Sequence, residues 1–118
     1  MARILLADDD AAMRDLAKRA LLADGHEVTV VQDGQDALEA IEADPKAFDL
    51  LISDVQMPGL DGLSLARSAV QANPALRIVL MTAYAGSVSV PDGLSGNIRS
   101  VLTKPLTLDQ IKAAARAA

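Results

Sequence analysis

Asp49-Leu50-Leu51-Ile52-Ser53-Asp54-Val55-Gln56-Met57-Pro58-Gly59 is the stretch on which the fold turns. Its apolar run is too short for a helix and does not alternate with polar residues, the pattern of a strand buried on both faces. The run ends abruptly in Ser53-Asp54, and Pro58-Gly59 then turns the chain. The same figure recurs on either side. Ile4-Leu5-Leu6-Ala7 breaks off at Asp8-Asp9-Asp10, Val28-Thr29-Val30-Val31 follows a turn at Gly25, and Ile78-Val79-Leu80-Met81 stops at Thr82. Val101-Leu102 is the last and weakest run, ending in Thr103-Lys104-Pro105.

Between these runs the apolar period becomes helical. From Ala11 to Ala23, Met13, Leu16, Ala17, Ala20 and Leu21 form one stripe, with Arg14, Lys18 and Asp24 opposite. Gly25 stops that helix. Asp36 to Ala43 carries Ala37, Leu38 and Ile41 on one face, and Leu63, Ala66, Ala69 and Val70 repeat the pattern before Asn73-Pro74. Thr107 caps a last helix whose buried side is Leu108, Ile111 and Ala115. The crossover from Gly86 to Arg99 is poor helix material, because it holds three glycines, Pro91 and the β-branched Val88 and Val90. A short, irregular or mobile fourth helix is expected there. Alternating strands and helices predict an α/β, flavodoxin-like (βα)5 doubly wound sandwich with a five-stranded parallel sheet.

Composition narrows the chemistry. The 118 residues fit one domain, and with 22 alanines, 17 leucines and 2% aromatic residues its core must be aliphatic. No cysteine and a single histidine, His26, exclude disulfides, zinc ribbons, thiol nucleophiles and multi-histidine metal sites. His26 follows Gly25 and reads as an exposed turn residue. A net charge of −5 argues against nucleic acid as a partner. No apolar run approaches the roughly 20 residues that span a bilayer, so no membrane partner is expected. No leader-like segment opens the chain, which leaves the cytoplasm as the expected location.

In open α/β sheets ligands bind outside the carboxyl ends of the strands. Asp8, Asp9 and Asp10 close the first strand here, Asp54 the third, Thr82 the fourth and Lys104 the fifth. Clustered carboxylates repel unless a cation lies among them, and oxygen donors without His or Cys point to Mg²⁺. A carboxylate beside Mg²⁺ can attack phosphorus, while Lys⁺ and a hydroxyl neutralise the equatorial oxygens. Asp54 is the best placed of the acids for this role, and Asp10 reads as the cap of the helix that follows.

Arg3 to Asp10, Asp49 to Gly62, Leu80-Met81-Thr82-Ala83 and Leu102-Thr103-Lys104-Pro105 together closely resemble the response-regulator receiver domain of two-component signalling, in order and in spacing. The resemblance implies that Asp54 accepts phosphoryl from a histidine kinase or histidine phosphotransferase. It implies that Asp8, Asp9, Asp54 and the backbone carbonyl of Gln56 hold Mg²⁺, and that Thr82 and Lys104 contact the phosphoryl group. It also implies a cis Lys104–Pro105 bond, and a downstream protein partner docking on the face of the fourth helix, fifth strand and fifth helix. Such a domain is a signalling switch, not an enzyme acting on an external substrate. Two departures stand out. Val101 occupies the place of the family's switch aromatic, and Tyr84 is the one aromatic beside the strand ends, where it could shield the acyl phosphate or replace the lost ring. Residues 1–118 read as one receiver with no output domain. The missing aromatic, the Gly/Pro-rich crossover and the Ala117-Ala118 end also resemble stand-alone cell-cycle receivers that act with an ATP-dependent protease.

Other readings compete. The chain could be a phosphorelay intermediate, or the receiver of a longer DNA-binding regulator. From a different class, Asp8-x-Asp10 superficially resembles the nucleophile and acid pair of haloacid-dehalogenase phosphatases, which are magnesium-dependent and form an aspartyl phosphate. Ala12 stands where that family wants Thr or Val. A flavodoxin-like cofactor binder would need a phosphate loop and flavin-stacking aromatics that are absent from the sequence.

Overall fold

Buried aliphatic strands with helices on both faces are what the computed structural model contains; it describes residues 2–118. The strands are β1 (Arg3–Ala7), β2 (Glu27–Val31), β3 (Leu50–Asp54), β4 (Arg77–Thr82) and β5 (Ile98–Thr103). The helices are α1 (Ala11–Ala23), α2 (Gly34–Ala43), α3 (Gly62–Ala72) and α4 (Leu108–Ala117). All neighbouring strands pair in parallel, in the order β2-β1-β3-β4-β5.

Successive residues of a strand face opposite sides of the sheet, and this divides the core in two. Leu5, Leu51, Ile78 and Leu80 pack with Ala37 and Ile41 of α2 and Leu65, Ala66 and Ala69 of α3. Ile4, Leu6, Ile52, Val79 and Met81 pack with Ala17 and Leu21 of α1 and Ile111 and Ala115 of α4. Every residue of β3 is buried, as its unbroken apolar run requires. Among the described residues no helix is long and apolar enough to cross a membrane.

Local polar chemistry sets the helix starts. Asp10 accepts the N–H groups of Ala12 and Met13 at 2.9 and 3.3 Å, and so caps α1 as its position suggested. Thr107 and Gln110 form a reciprocal capping box on α4. α2 begins at Gly34, earlier than the apolar stripe indicates, because Asp33 reaches the N–H of Asp36 at 2.8 Å. Asp61 caps α3 in the same way through Ser64.

One expectation is sharpened and two need revision. The fourth crossover holds no α-helix, only 3₁₀ turns at Ala85–Ser87 and Asp92–Leu94, so the C-terminal helix is α4. The segment still covers the core, for Leu94 is buried and Val88 and Val90 pack against the α2/α3 side. β5 is longer than its two apolar residues suggested. It is an edge strand whose polar Arg99 and Ser100 can share a ladder, with a register irregularity beside Arg99. His26 is not exposed: its side chain is 7% accessible. Pairing of Arg3 with Glu27 brings Ala2 over the ring, and Nδ1 accepts the Ala2 N–H at 2.9 Å.

Candidate functional site

Parallel register carries the strand-end polar residues to one edge. Ala7 pairs with Ser53, Asp54 with Met81 and Thr82 with Thr103, so Asp8, Asp54, Thr82 and Lys104 emerge side by side. Two backbone bonds extend that edge, from Val55 N–H to the Met81 carbonyl at 2.9 Å and from Lys104 N–H to the Thr82 carbonyl at 2.8 Å. Asp8 is fully buried, Asp54 is 6% exposed and Asp9 faces solvent. One carboxylate oxygen from each of these three lies within 4.8 Å of the other two.

Lys104 joins them. Its Nζ donates to Asp8 Oδ2 at 3.1 Å and to Asp54 Oδ2 at 3.0 Å. The Lys104–Pro105 peptide is cis, as the resemblance implied. Burial pushes the Asp54 carboxyl above its ordinary pKa, opposed by the Lys104 ammonium and assisted by the charges of Asp8 and Asp9. Burial alone would lower the Lys104 ammonium, but its bonds to Asp54 and Asp8 and their charges prevail and raise it. Among the described residues, Asp54 Oδ1 has no hydrogen-bond partner. The buried acid is thus held by one oxygen and free at the other.

Thr82 is buried, donates its hydroxyl to Gln56 Oε1 at 3.0 Å, and accepts the Tyr84 N–H at 3.2 Å. The Tyr84 side chain is exposed, at 67% for the residue, so it is the backbone of Tyr84 that touches Thr82. Val101 pairs with Leu80 and packs against the α2/α3 core, away from the acids. Asp10 Oδ1 accepts the Ala12 and Met13 N–H groups and so is engaged as the α1 cap. A cleft beside the cluster is lined by Asp9, Gln56, Met57, Asp61, Ser64 and Arg67.

Two contributors escaped the sequence reading. Arg14 looked like a solvated residue opposite the apolar stripe, yet its Nη1 donates to the Asp8 carbonyl at 2.8 Å. Gly62 ends the stretch that carries the family resemblance, but the sequence assigned it no contact. A Cβ there would lie 2.3 Å from the Asp54 carbonyl oxygen, so only glycine lets α3 start this close to β3. Nothing in the spacing of either residue signals these contacts, which depend on where α1 and α3 cross the sheet edge.

The family model for the response regulator receiver domain matches residues 4–116. The chain belongs to the response-regulator receiver family. This receiver is 40% identical to the response regulator receiver protein CpdR of Brucella abortus over 108 residues, covering 92% of this chain and 88% of that one. It is 36% identical to the response regulator MprA of Mycolicibacterium vanbaalenii, covering 98% of this chain but only 49% of that relative. The receiver's fold superposes on the response regulator TrrA of Thermotoga maritima, crystallised in complex with Mg²⁺-BeF, with a TM-score of 0.82. The two are 31% identical over 98% of this chain and 97% of that one. The phosphoryl-accepting receiver function follows from membership, and the acid triad of this receiver lies at the edge where such chemistry takes place in an open α/β sheet.

Proposed function

We propose that Asp54 is the phosphoryl acceptor of this receiver, charged by a histidine kinase or histidine phosphotransferase, and that its phosphorylation switches the binding of a downstream protein. The observation that carries this reading is the single Lys104 ammonium bonded to both Asp54 and Asp8 at the mouth of a three-carboxylate cluster. In this reading Asp54 Oδ1 attacks phosphorus, the bond to the donor nitrogen breaks, and the imidazole leaves with a proton. Lys104 stays with the phosphorylated side chain as a point charge, and Thr82 supplies a hydroxyl donor to an equatorial oxygen.

The donor set suits a hard cation: oxygens alone, two from buried acids and one from an exposed acid. Asp8, Asp9, Asp54 and the Gln56 backbone carbonyl would hold Mg²⁺, which supplies charge neutralisation for the transferring group. Val101 leaves no switch aromatic on β5, so the surface read by a partner would be the 83–97 segment with β5 and α4. The net charge of −5 favours a protein over nucleic acid as that partner. Resemblance to stand-alone cell-cycle receivers supports regulated proteolysis as the output.

Incubation with a small acyl phosphate and Mg²⁺ tests the acceptor. Wild type should gain an alkali-labile phosphoryl group and Asp54→Ala should not. Label retained by Asp54→Ala but lost from Asp8→Asn would overturn the assignment in favour of a phosphatase-like nucleophile.

A further inference from the structure

Thr82 and Gln56 are joined by a bond that the phosphoryl reading does not use. Thr82 is fully buried, and a hydroxyl has one hydrogen to donate. That hydrogen is given to Gln56 Oε1 at 3.0 Å. Gln56 lies on the exposed β3–α3 loop, where an amide could be satisfied by water. Thr82 has no such freedom, because the strand around it excludes solvent. The pair is therefore asymmetric: breaking it costs the threonine more than the glutamine.

A second bond ties the same hydroxyl to the neighbouring segment. The Thr82 oxygen accepts the Tyr84 N–H at 3.2 Å. Tyr84 in turn starts the first 3₁₀ turn, with Ser87 N–H donating to its carbonyl at 2.9 Å. A rotation of Thr82 about χ1 that aims the hydroxyl at Asp54 must break the bond to Gln56 and disturb the one from Tyr84.

We propose that the Gln56 side chain is a latch on Thr82: it holds the hydroxyl in the resting rotamer, and a phosphoryl group on Asp54 must outcompete the Gln56 amide for that one hydrogen before the 83–88 segment can respond. The proposal rests on the phosphoryl-acceptor reading of Asp54 and deepens it. Gln56 is then a positioning residue that acts through Thr82. Its side chain sets the balance between resting and switched states, while its backbone carbonyl is unaltered by substitution. A ligand can shift that balance only by what it gains in one state over the other, so the latch bond is subtracted from whatever the phosphoryl contact yields. With Val101 in place of an aromatic, the route from the site to the surface runs through the Tyr84 backbone.

Gln56→Met tests this, since it keeps the side-chain length and removes the acceptor. In metal-free, ligand-free protein the Thr82 and Tyr84 amide resonances of Gln56→Met should lie displaced from wild type towards the positions seen in beryllofluoride-saturated wild type. At saturating Mg²⁺, beryllofluoride should bind Gln56→Met about fivefold more tightly, the worth of one ordinary hydrogen bond. In a Thr82→Ala background the same substitution should change neither quantity. Unmoved amides, unchanged beryllofluoride affinity, or an equal gain in the Thr82→Ala background would each overturn the latch while leaving the acceptor assignment intact. A wild type with no beryllofluoride response that depends on Asp54 would overturn the acceptor assignment and the latch together.

Discussion

A carboxylate that is buried, faces two others and is held by one ammonium is a strained electrostatic arrangement, and Asp54 is in that position. Its pKa is raised by folding, so the folded state binds the Asp54 proton more tightly than the unfolded chain does. The linkage then has one sign: stability is lost as pH rises through the raised pKa, and the ionised Asp54 is a cost at neutral pH. Asp54→Asn should therefore raise the thermal midpoint of the metal-free protein at pH 7. The gain should shrink as pH falls and the wild-type carboxyl takes up its proton, and it should also shrink when Mg²⁺ is added to wild type. Melting curves across pH, with and without Mg²⁺, check all three. Asp54, Thr82 and Lys104 were legible in the sequence because each directly follows an apolar run or sits just past it. Arg14 and the Gln56 side chain were not, because their partners are the Asp8 backbone and Thr82, and neither contact leaves a periodic trace.

Elements were read best where burial wrote a clear pattern and worst where it did not. β3 is buried at every position and was evident from three residues, whereas β5 is an edge strand interrupted by the adjacent polar residues Arg99 and Ser100 and was half seen. The crossover after β4 was correctly expected to lack a regular helix, since its glycines and Pro91 weaken helical propensity and its apolar residues are few. Its glycines are not held by close contacts: a Cβ on Gly86, Gly93 or Gly96 meets nothing within 4 Å. Gly62 and Gly34 are the opposite, with a Cβ falling 2.3 Å from the Asp54 carbonyl and 2.2 Å from the Leu60 carbonyl. Gly62→Ala should cost about 1–3 kcal/mol, as overpacking against backbone does, and should slow phosphoryl uptake by displacing Asp54. Gly86→Ala should stay within about 0.5 kcal/mol of wild type. Denaturant unfolding of the two variants, with acyl-phosphate labelling of the first, separates the cases.

Across the whole molecule, the end of the sheet opposite the acids is closed by contacts between distant parts of the chain. Arg116 of α4 grips Asp24 at the end of α1 with two bonds, at 2.7 and 2.5 Å, and Arg3 grips Asp49 in the same manner. The Arg116 hydrogen bond holds the Asp24 carboxyl below its ordinary pKa of 3.8. A lowered carboxylate pKa stabilises the fold above 3.8, and that contribution is lost as pH falls through the lowered value. Arg116→Ala should lower the thermal midpoint at pH 6 and in low salt, with the difference vanishing in strong acid and shrinking at high ionic strength, because the Arg116 side of the pair is open to solvent. Periodicity is a local property, and it determined what local burial can dictate: five strands, the helices between them, the aliphatic core and the acidic strand ends. The strand order, the register and the crossing of α1 and α3 over the sheet edge were decided only by the tertiary structure. They alone bring Lys104 onto Asp8 and Asp54, 96 and 50 residues away, seal His26 under β1, and give the Thr82 hydroxyl to Gln56. A hydrogen bond needs its two partners within about 3 Å, and for residues so far apart along the chain only the packed sheet supplies that proximity.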